Sequence, residues 1–287
     1  MQCLFCQSPD INRTSFPRPT FFNNKRFEYY QCNNCKLVFI DPIPSRDDYA
    51  NMYAPTYHDT YYFKESEIDY SFFYELLEKN TTGKNILDYG CGDGSFLHYF
   101  SQRRYDCTGI DYDMNLVERL KERFPGIKFY DITKFHLQKE DLKFDIIYMG
   151  DVLEHLDNPS QFLNSLLLNL NEDGLILVQG PLEANFTLAL SYRKLISSFK
   201  KNRVASHTPY HISFSNAKNQ KRIFEKSGFV TLHYKISEVP WPYPAKFTLK
   251  PMPAINWFVA KTSILISKFF PRKWGNRFVY LGKKSQT

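Results

Sequence analysis

From about residue 83 the chain alternates short apolar runs of strand character with amphipathic stretches of helical period, and no other feature restricts its fold as much. Strands separated by helices pair in parallel through crossovers, which cover both faces of the sheet with helices. Strands are expected at 85–89, 107–110, 127–130, 144–149, 175–179 and 229–235, with a closing one at 277–281. Helices are expected at 95–103, 114–124, 159–170 and 216–227, Asn158 and Pro159 reading as an N-cap and a first-turn proline. The expectation is an α/β fold with a doubly wound, mostly parallel sheet.

The first strand runs through Asp88 into Gly90, Gly92 and Gly94, then directly into a helix. Glycines at such a turn let the backbone bend sharply and let a ligand lie against main-chain atoms, at the carboxyl edge where open α/β sheets bind ligands. The G-x-G-x-G spacing counts against a dinucleotide fingerprint, and no Gly-Lys-Ser/Thr follows to make a P-loop. Asp88 suits a cationic ligand group rather than a pyrophosphate. The second strand ends in Asp111, placed to accept hydrogen bonds from both hydroxyls of a ribose, with Tyr112 beside it to lie against an adenine. The third ends in Asp131-Ile132, where a carboxylate can take a hydrogen bond from an adenine amino group. One aspartate at a strand end is commonly a cap or turn former, whereas three in succession at this spacing are a strong cofactor signal.

Ahead of the sheet, Cys3-x-x-Cys6 and Cys32-x-x-Cys35 stand 25 residues apart. Two such knuckles facing each other supply four thiolates for one tetrahedral zinc, with no position left for water or substrate, so the metal role is structural. Asn23-Asn24 is a turn signal between runs at Phe21-Phe22 and Phe27-Glu28-Tyr29-Tyr30, which fits a ribbon with a longer finger. Paired disulfides are the alternative, disfavoured in a cytosolic chain. The opening MQCLFCQ has no charged-then-apolar leader and no run approaches about 18 apolar residues, so a cytoplasmic protein is expected. Hydrophobic residues at 43% and aromatics at 17% exclude fibrous and disordered classes.

In LDYGCGDGSF, TGIDYD, and FDIIYMGDVLEHLDNP followed by GLILVQGP, the sequence resembles the class I S-adenosylmethionine-dependent methyltransferases, over roughly residues 83 to 238 plus the closing strand. The knuckles, with Leu37-Val38-Phe39-Ile40-Asp41-Pro42, Pro44 and Met52-Tyr53, are similar to a narrower set. That set comprises bacterial methyltransferases with a zinc ribbon ahead of the catalytic domain, often associated with sugar or surface-polysaccharide biosynthesis. The resemblance implies a Rossmann-like seven-stranded methyltransferase sheet. It further implies that Asp88, Gly90, Gly92 and Gly94 hold the methionine part of S-adenosylmethionine, Asp111 its ribose, and Asp131 with Ile132 its adenine, while Gly150 lies near the sulfonium. The implied organisation is a zinc ribbon at 1–45, a helical linker or cover at 46–82, and a catalytic domain at 83–284 with basic lid insertions at 181–210 and 239–275.

Methyl transfer from a sulfonium to oxygen is an in-line displacement that needs alignment and one base. The candidates are His155, in Asp151-Val152-Leu153-Glu154-His155 just after the fourth strand, and His211, in Pro209-Tyr210-His211-Ile212-Ser213-Phe214. The structural alternative has His155 and Glu154 stabilising the turn and His211 capping the next helix. No Asn/Asp-Pro-Pro-Tyr follows the fourth strand, which argues against amino methylation of nucleic-acid bases, and Cys91 lies in the cofactor loop, which argues against a covalent cysteine route.

Charge divides unevenly. Residues 1–183 hold 18 Lys+Arg and 28 Asp+Glu, whereas residues 184–287 hold 19 Lys+Arg and only Glu225 and Glu238. The basic part suits an anionic partner: a sugar acceptor carried as nucleotide sugar, lipid-linked glycan or polysaccharide, or the anionic inner face of a membrane. A helix over 184–199 and one over 254–270 are expected there. On the latter Ile255, Phe258, Thr262, Leu265 and Phe269 share a face opposite Asn256, Ser263 and Ser267, which reads first as a lid packed on the sheet. Two other functions stay open: O- or C-methylation of a quinone or similar lipid-like molecule, and a nucleic-acid-binding protein using the cofactor fold as scaffold. Against the latter, residues 1–40 carry a net charge of only +3.

Overall fold

The computed structural model describes residues 1–14, 16–52, 69–137, 142–199, 208–240, 247–271 and 273–285. Its strands are β1 (Ile11–Arg13), β2 (Thr20–Phe22), β3 (Lys25–Cys32), β4 (Val38–Asp41), β5 (Asn85–Tyr89), β6 (Asp106–Asp111), β7 (Lys128–Asp131), β8 (Phe144–Gly150), β9 (Leu170–Pro181), β10 (Ser213–Phe214), β11 (Phe229–Ser237) and β12 (Arg277–Lys284). Seven of them form one sheet in the order β11-β12-β9-β8-β5-β6-β7. The run from β7 to β9 is parallel, and β12 enters antiparallel between β9 and β11. Ile86, Leu87, Ile146, Ile147, Ile176 and Leu177 are fully buried in neighbouring strands, as expected of strands covered on both faces. The order reverses between β5 and β8, which opens the ligand crevice at the carboxyl ends of β5, β6 and β8.

Local chemistry sets the helix limits. Asp113 accepts from the N–H groups of Asn115 and Leu116 to start the Met114–Arg123 helix, Asn158 caps Pro159–Leu166, and Asn216 with Asn219 forms a capping box on Ala217–Lys226. The helix expected over 159–170 stops at Leu166, because a 3-10 turn follows and buried Asn169 donates to Leu142 O at 3.0 Å just before Leu170 opens β9. The helix expected over 184–199 is Leu188–Ser198: Asn185 is drawn into the fold by the carbonyls of Lys273 and Gly275, and Thr187 becomes the N-cap. The basic end at 200–203, the loop at 241–244 and Tyr53 lie outside the described residues.

In the cysteine-bearing segment β2 and β3 form the expected hairpin, and Asn23 and Asn24 both adopt positive φ, 46° and 58°, as a tight two-residue hairpin turn requires. Sequence periodicity did not announce that β10, from the catalytic segment, completes this sheet. Ser213 pairs with Phe39 and Phe214 with Val38, and Ile40 N–H donates to Ile212 O at 3.0 Å. Leu4, Phe5, Leu37 and Phe39 share one apolar cluster with Met149, Leu153, Ile223 and Phe224, so the two segments bury a common core.

The Pro251–Phe269 helix lies against Leu188–Ser198, and its roll turns the apolar face outward. Ala260, Ser263 and Ser267 face inward, while Ile255, Phe258, Leu265 and Phe269 face solvent. The reason is polar: Ser263 Oγ donates to Glu238 Oε1 at 2.8 Å and accepts from Trp274 Nε1 at 3.4 Å. No helix among the described residues is long and apolar enough to cross a membrane.

Candidate functional site

The Gly-rich turn is held by its neighbour strand. Gly90 and Cys91 N–H groups both donate to Ile110 O, at 2.8 and 3.0 Å, and Gly90, Gly92 and Gly94 have φ of 79°, 51° and 73°. A Cβ on Gly90 would stand 2.8 Å from Val152 Cγ2, so this turn touches the loop after β8. Asp88 is buried at the end of β5, and its Oδ1 has no hydrogen-bond partner among the described residues. Burial, reinforced by Asp111 and Asp93, pushes its pKa well above the usual carboxylate range. A buried orphan carboxylate under a main-chain cradle is a receptor for a cationic donor, and the ammonium group of S-adenosylmethionine fits that description.

Asp111 takes Gly92 N–H on Oδ2 at 3.0 Å and Asp113 N–H on Oδ1 at 3.1 Å, so its carboxylate is fixed beside the turn, with exposed Tyr112 next to it. Asp131 lies opposite Asp111 in the register of β6 and β7. Its Oδ1 caps the Ile132–Leu137 helix through Thr133 and Lys134 N–H, both 3.1 Å away, leaving Oδ2 to Lys134 Nζ at 3.5 Å. Ile132 begins the helix. Gly150 sits over Tyr148, whose Oη would be 2.5 Å from a Cβ there. The Tyr148 ring is stacked on Phe96 at 3.7 Å, and its Oη accepts from Gln179 Nε2 at 2.6 Å.

The two sequence-derived histidines meet. Their rings are edge to face, centroids 4.9 Å apart. His155 Nδ1 lies 2.7 Å from Tyr210 O, and since a carbonyl only accepts, Nδ1 carries the proton and Nε2 points toward Glu154 Oε1, 4.0 Å away. Burial and then His211 hold the His155 pKa down at about 4. His211 Nδ1 donates to Glu183 Oε2 at 2.5 Å. Burial alone would lower its pKa, but the Glu183 carboxylate and its hydrogen bond outweigh this and push it up to about 9. Glu154 is 6% exposed, and its Oε1 has no hydrogen-bond partner among the described residues. Burial, then Asp151, raises its carboxyl pKa. Asp151 itself forms a two-pronged pair with Arg277 at 2.6 and 2.9 Å. Asn216, not His211, caps the following helix. Glu183 and Tyr148 were not singled out from the sequence: nothing in spacing marks them, because they reach the site through strand pairing.

A cavity of about 180 Å³ adjoins Glu183. Thr14, Phe16 and Gln31 line it from the cysteine-bearing segment, Glu183 and Phe214 from the sheet side, and Lys194 from the Leu188–Ser198 helix.

The four N-terminal cysteines also converge. Cys3 and Cys35 Sγ are 3.4 Å apart, Cys6 and Cys32 Sγ 3.6 Å, and all four lie within 4.8 Å of one another with no disulfide. The two loops share one hydrogen-bond pattern: Gln7 N to Cys3 O and Lys36 N to Cys32 O, Cys3 N to Ser8 O and Cys32 N to Leu37 O. Gln7 and Lys36 both adopt positive φ. A tetrahedral ion with ~2.3 Å metal–sulfur bonds needs sulfurs about 3.8 Å apart, so a tetrathiolate zinc is compatible with this cluster.

A family described as "Methyltransferase domain" matches residues 62–234, more than half of the chain. The chain belongs to this methyltransferase family. Among relatives of this methyltransferase-domain protein, a Mycolicibacterium smegmatis protein classed as a probable S-adenosylmethionine-dependent methyltransferase is 24% identical over 171 residues, covering 60% of each chain. The chain thus spans about 60% of that relative's length. A ubiquinone biosynthesis O-methyltransferase of Glaesserella parasuis is 36% identical over 105 residues, 33% of this chain and 44% of the relative. The plantazolicin methyltransferase BamL, solved with a triazolic desmethylPZN analogue and SAH, shares the fold at a TM-score of 0.53 and 15% identity, over 84% of this chain and 95% of BamL. The methyltransferase sheet therefore agrees between sequence, structure and relatives.

Proposed function

We propose that this methyltransferase-family chain transfers a methyl group from S-adenosylmethionine to a hydroxyl oxygen of a sugar, carried as a nucleotide sugar, lipid-linked glycan or polysaccharide end. The observation that carries the reading is the cavity beside Glu183, with room for one sugar ring between polar Thr14, Gln31 and Lys194 and the aromatic faces of Phe16 and Phe214. S-adenosylmethionine supplies an electrophilic methyl group held on sulfur. Asp88 and the Gly90–Gly94 turn would hold its amino-acid end, Asp111 the ribose, Asp131 Oδ2 with Ile132 the adenine beside Tyr112, and Gly150, packed against Tyr148, the sulfonium end. Glu183 and Lys194 orient the acceptor, and the hydroxyl proton leaves into the Glu154–His155–His211 cluster. The four-cysteine cluster reads as structural zinc, fixing the wall of the cavity that Thr14, Phe16 and Gln31 provide.

A second reading, O-methylation of a quinone, is favoured by the similarity to the ubiquinone O-methyltransferase. Methyl-labelled S-adenosylmethionine incubated with fractionated host extract separates the two, with Asp111→Ala as the control. Label in glycan or lipid-linked glycan, lost in the variant, supports the sugar. Label in the quinone fraction or in RNA overturns it.

A further inference from the structure

We propose that Glu154, His155 and His211 form a second metal site, holding a divalent first-row ion such as zinc that binds and acidifies the acceptor hydroxyl. The placement of the acceptor rests on the methyl-transfer reading, whereas the site itself does not. One ligand atom from each residue lies within 4.8 Å of the others. Both imidazoles are anchored through Nδ1, His155 on the Tyr210 carbonyl and His211 on the Glu183 carboxylate. That is the outer support which metal-bound histidines have almost without exception, and it commits Nε2 as the coordinating atom. The third ligand is the buried Glu154 Oε1, which no described residue satisfies. A buried carboxylate oxygen without a donor is rare, and a cation between it and the two imidazoles satisfies all three groups at once.

The surroundings agree in charge and access. Arg277 pairs with Asp151 and His211 with Glu183, so Glu154 is the carboxylate of this group left without a partner among the described residues. Glu154 closes the inner side, while the two imidazoles are partly open outward, which leaves coordination positions for the acceptor oxygen, the arrangement of a catalytic rather than a closed structural site. Two imidazoles and one carboxylate suit zinc or a neighbouring transition ion better than magnesium or calcium. Such an ion would make the bound hydroxyl more acidic; its proton would pass to the Glu183 carboxylate that lines the cavity, and the oxygen would take the methyl as the carbon–sulfur bond breaks with its electron pair staying on sulfur.

The test counts metal and needs neither acceptor nor methyl donor. Full-length protein is equilibrated with zinc, passed through a desalting column and assayed by elemental analysis. Wild type is expected to retain two zinc ions per chain, and His155→Ala, His211→Ala and the near-isosteric Glu154→Gln one each, with S-adenosylmethionine affinity within about threefold of wild type as the folding control. One ion in wild type, or two in every variant, overturns the site. Two ions in wild type without methyl transfer to any fraction would uphold the site and sink the functional proposal.

An independent observation concerns the outward face of the Pro251–Phe269 helix. Phe258 is 58% exposed, Phe269 73%, and Phe199 at the end of the neighbouring helix 80%, while Ser263 is fully buried. Lys250 at its N-cap and Lys261 and Lys268 on the helix are exposed, and the helix carries no acid. Of the two acids after residue 183, Glu238 is buried and Glu225 pairs with Lys221. We propose that this face docks on an anionic lipid surface: an apolar stripe bordered by lysines suits lipid headgroups, and its uniform charge opposes a second copy. Vesicle flotation with phosphatidylcholine, alone or mixed with phosphatidylglycerol, tests it. Binding only to the anionic vesicles, weakened at least tenfold in Phe258→Ser/Phe269→Ser and by high salt, is expected. No binding, binding equal in the variant, or a dimer in solution that the variant dissociates overturns it.

Discussion

Removing the cysteine cluster should loosen His211 from a distance without weakening the cofactor turn. The perturbation is Cys32→Ser/Cys35→Ser, which deletes two of the four converging sulfurs at the ends of β3 and the loop to β4. β4 is what holds β10: Ser213 and Phe214 pair with Phe39 and Val38, and Ile212 O accepts from Ile40. Ile212, next to His211, is fully buried in a cluster with Phe27, Tyr29, Val38 and Ile40. Uncovering one such side chain costs about 1.5–3 kcal/mol, and two or three backbone hydrogen bonds add ~0.5–1.5 kcal/mol each. A total of ~2.5–7.5 kcal/mol corresponds to roughly 10²–10⁵-fold faster local opening at about 1.4 kcal/mol per decade. Hydrogen exchange followed by mass spectrometry of the peptide around 208–216 reads this directly, with titration of S-adenosylmethionine alongside. Exchange accelerated by that factor, with cofactor affinity changed less than about threefold, is expected. Unchanged exchange in 208–216 would refute the coupling.

Three further outcomes follow from named contacts. Asp88→Asn should raise the melting temperature of the ligand-free protein, by ~2–4 °C for each kcal/mol of buried charge strain relieved, and abolish the further rise on adding S-adenosylmethionine; a lowered ligand-free melting temperature would contradict the strain. Gly90→Ala should cost ~1–3 kcal/mol through its φ of 79° and its approach to Val152, with Val152→Ala restoring part of the loss in a chemical-denaturation cycle. Burial would raise the Asp48 pKa, but Lys25, Asn23 and two donors of Ser45 hold it well below the usual carboxylate range. The stabilisation is therefore complete above about pH 4 and lost as the pH falls below it; Asp48→Asn should lose ~1.5–3 kcal/mol at pH 7, since half-exposed Lys25 returns to water, and show a flatter melting profile in acid.

The sheet was legible because its signals are local. β5 begins and ends where the apolar run and Gly90 put it, and Asn158, Pro159 and the Asn23-Asn24 turn behave as their side chains dictate. The site was legible only where chemistry clusters in one motif: Asp88, Asp111 and Asp131 end successive strands, but Glu183 joins His211 across 28 residues and β10 joins β4 across more than 170. Such pairings depend on which edge remains open after folding, which no local pattern encodes. The Pro251–Phe269 helix shows the same limit from the other side. Its periodicity identified the apolar face correctly, yet hydrogen bonds from Ser263 to Glu238 and Trp274 decided which face turns inward.

The most direct test of the account is calorimetric titration of the purified chain with S-adenosylmethionine, in parallel with Asp111→Ala. One molecule bound per chain, with affinity at least tenfold weaker when the carboxylate that fixes Gly92, and that we propose holds the ribose, is removed, is the predicted result. No heat of binding in the folded wild type, or affinity indifferent to Asp111, would contradict it.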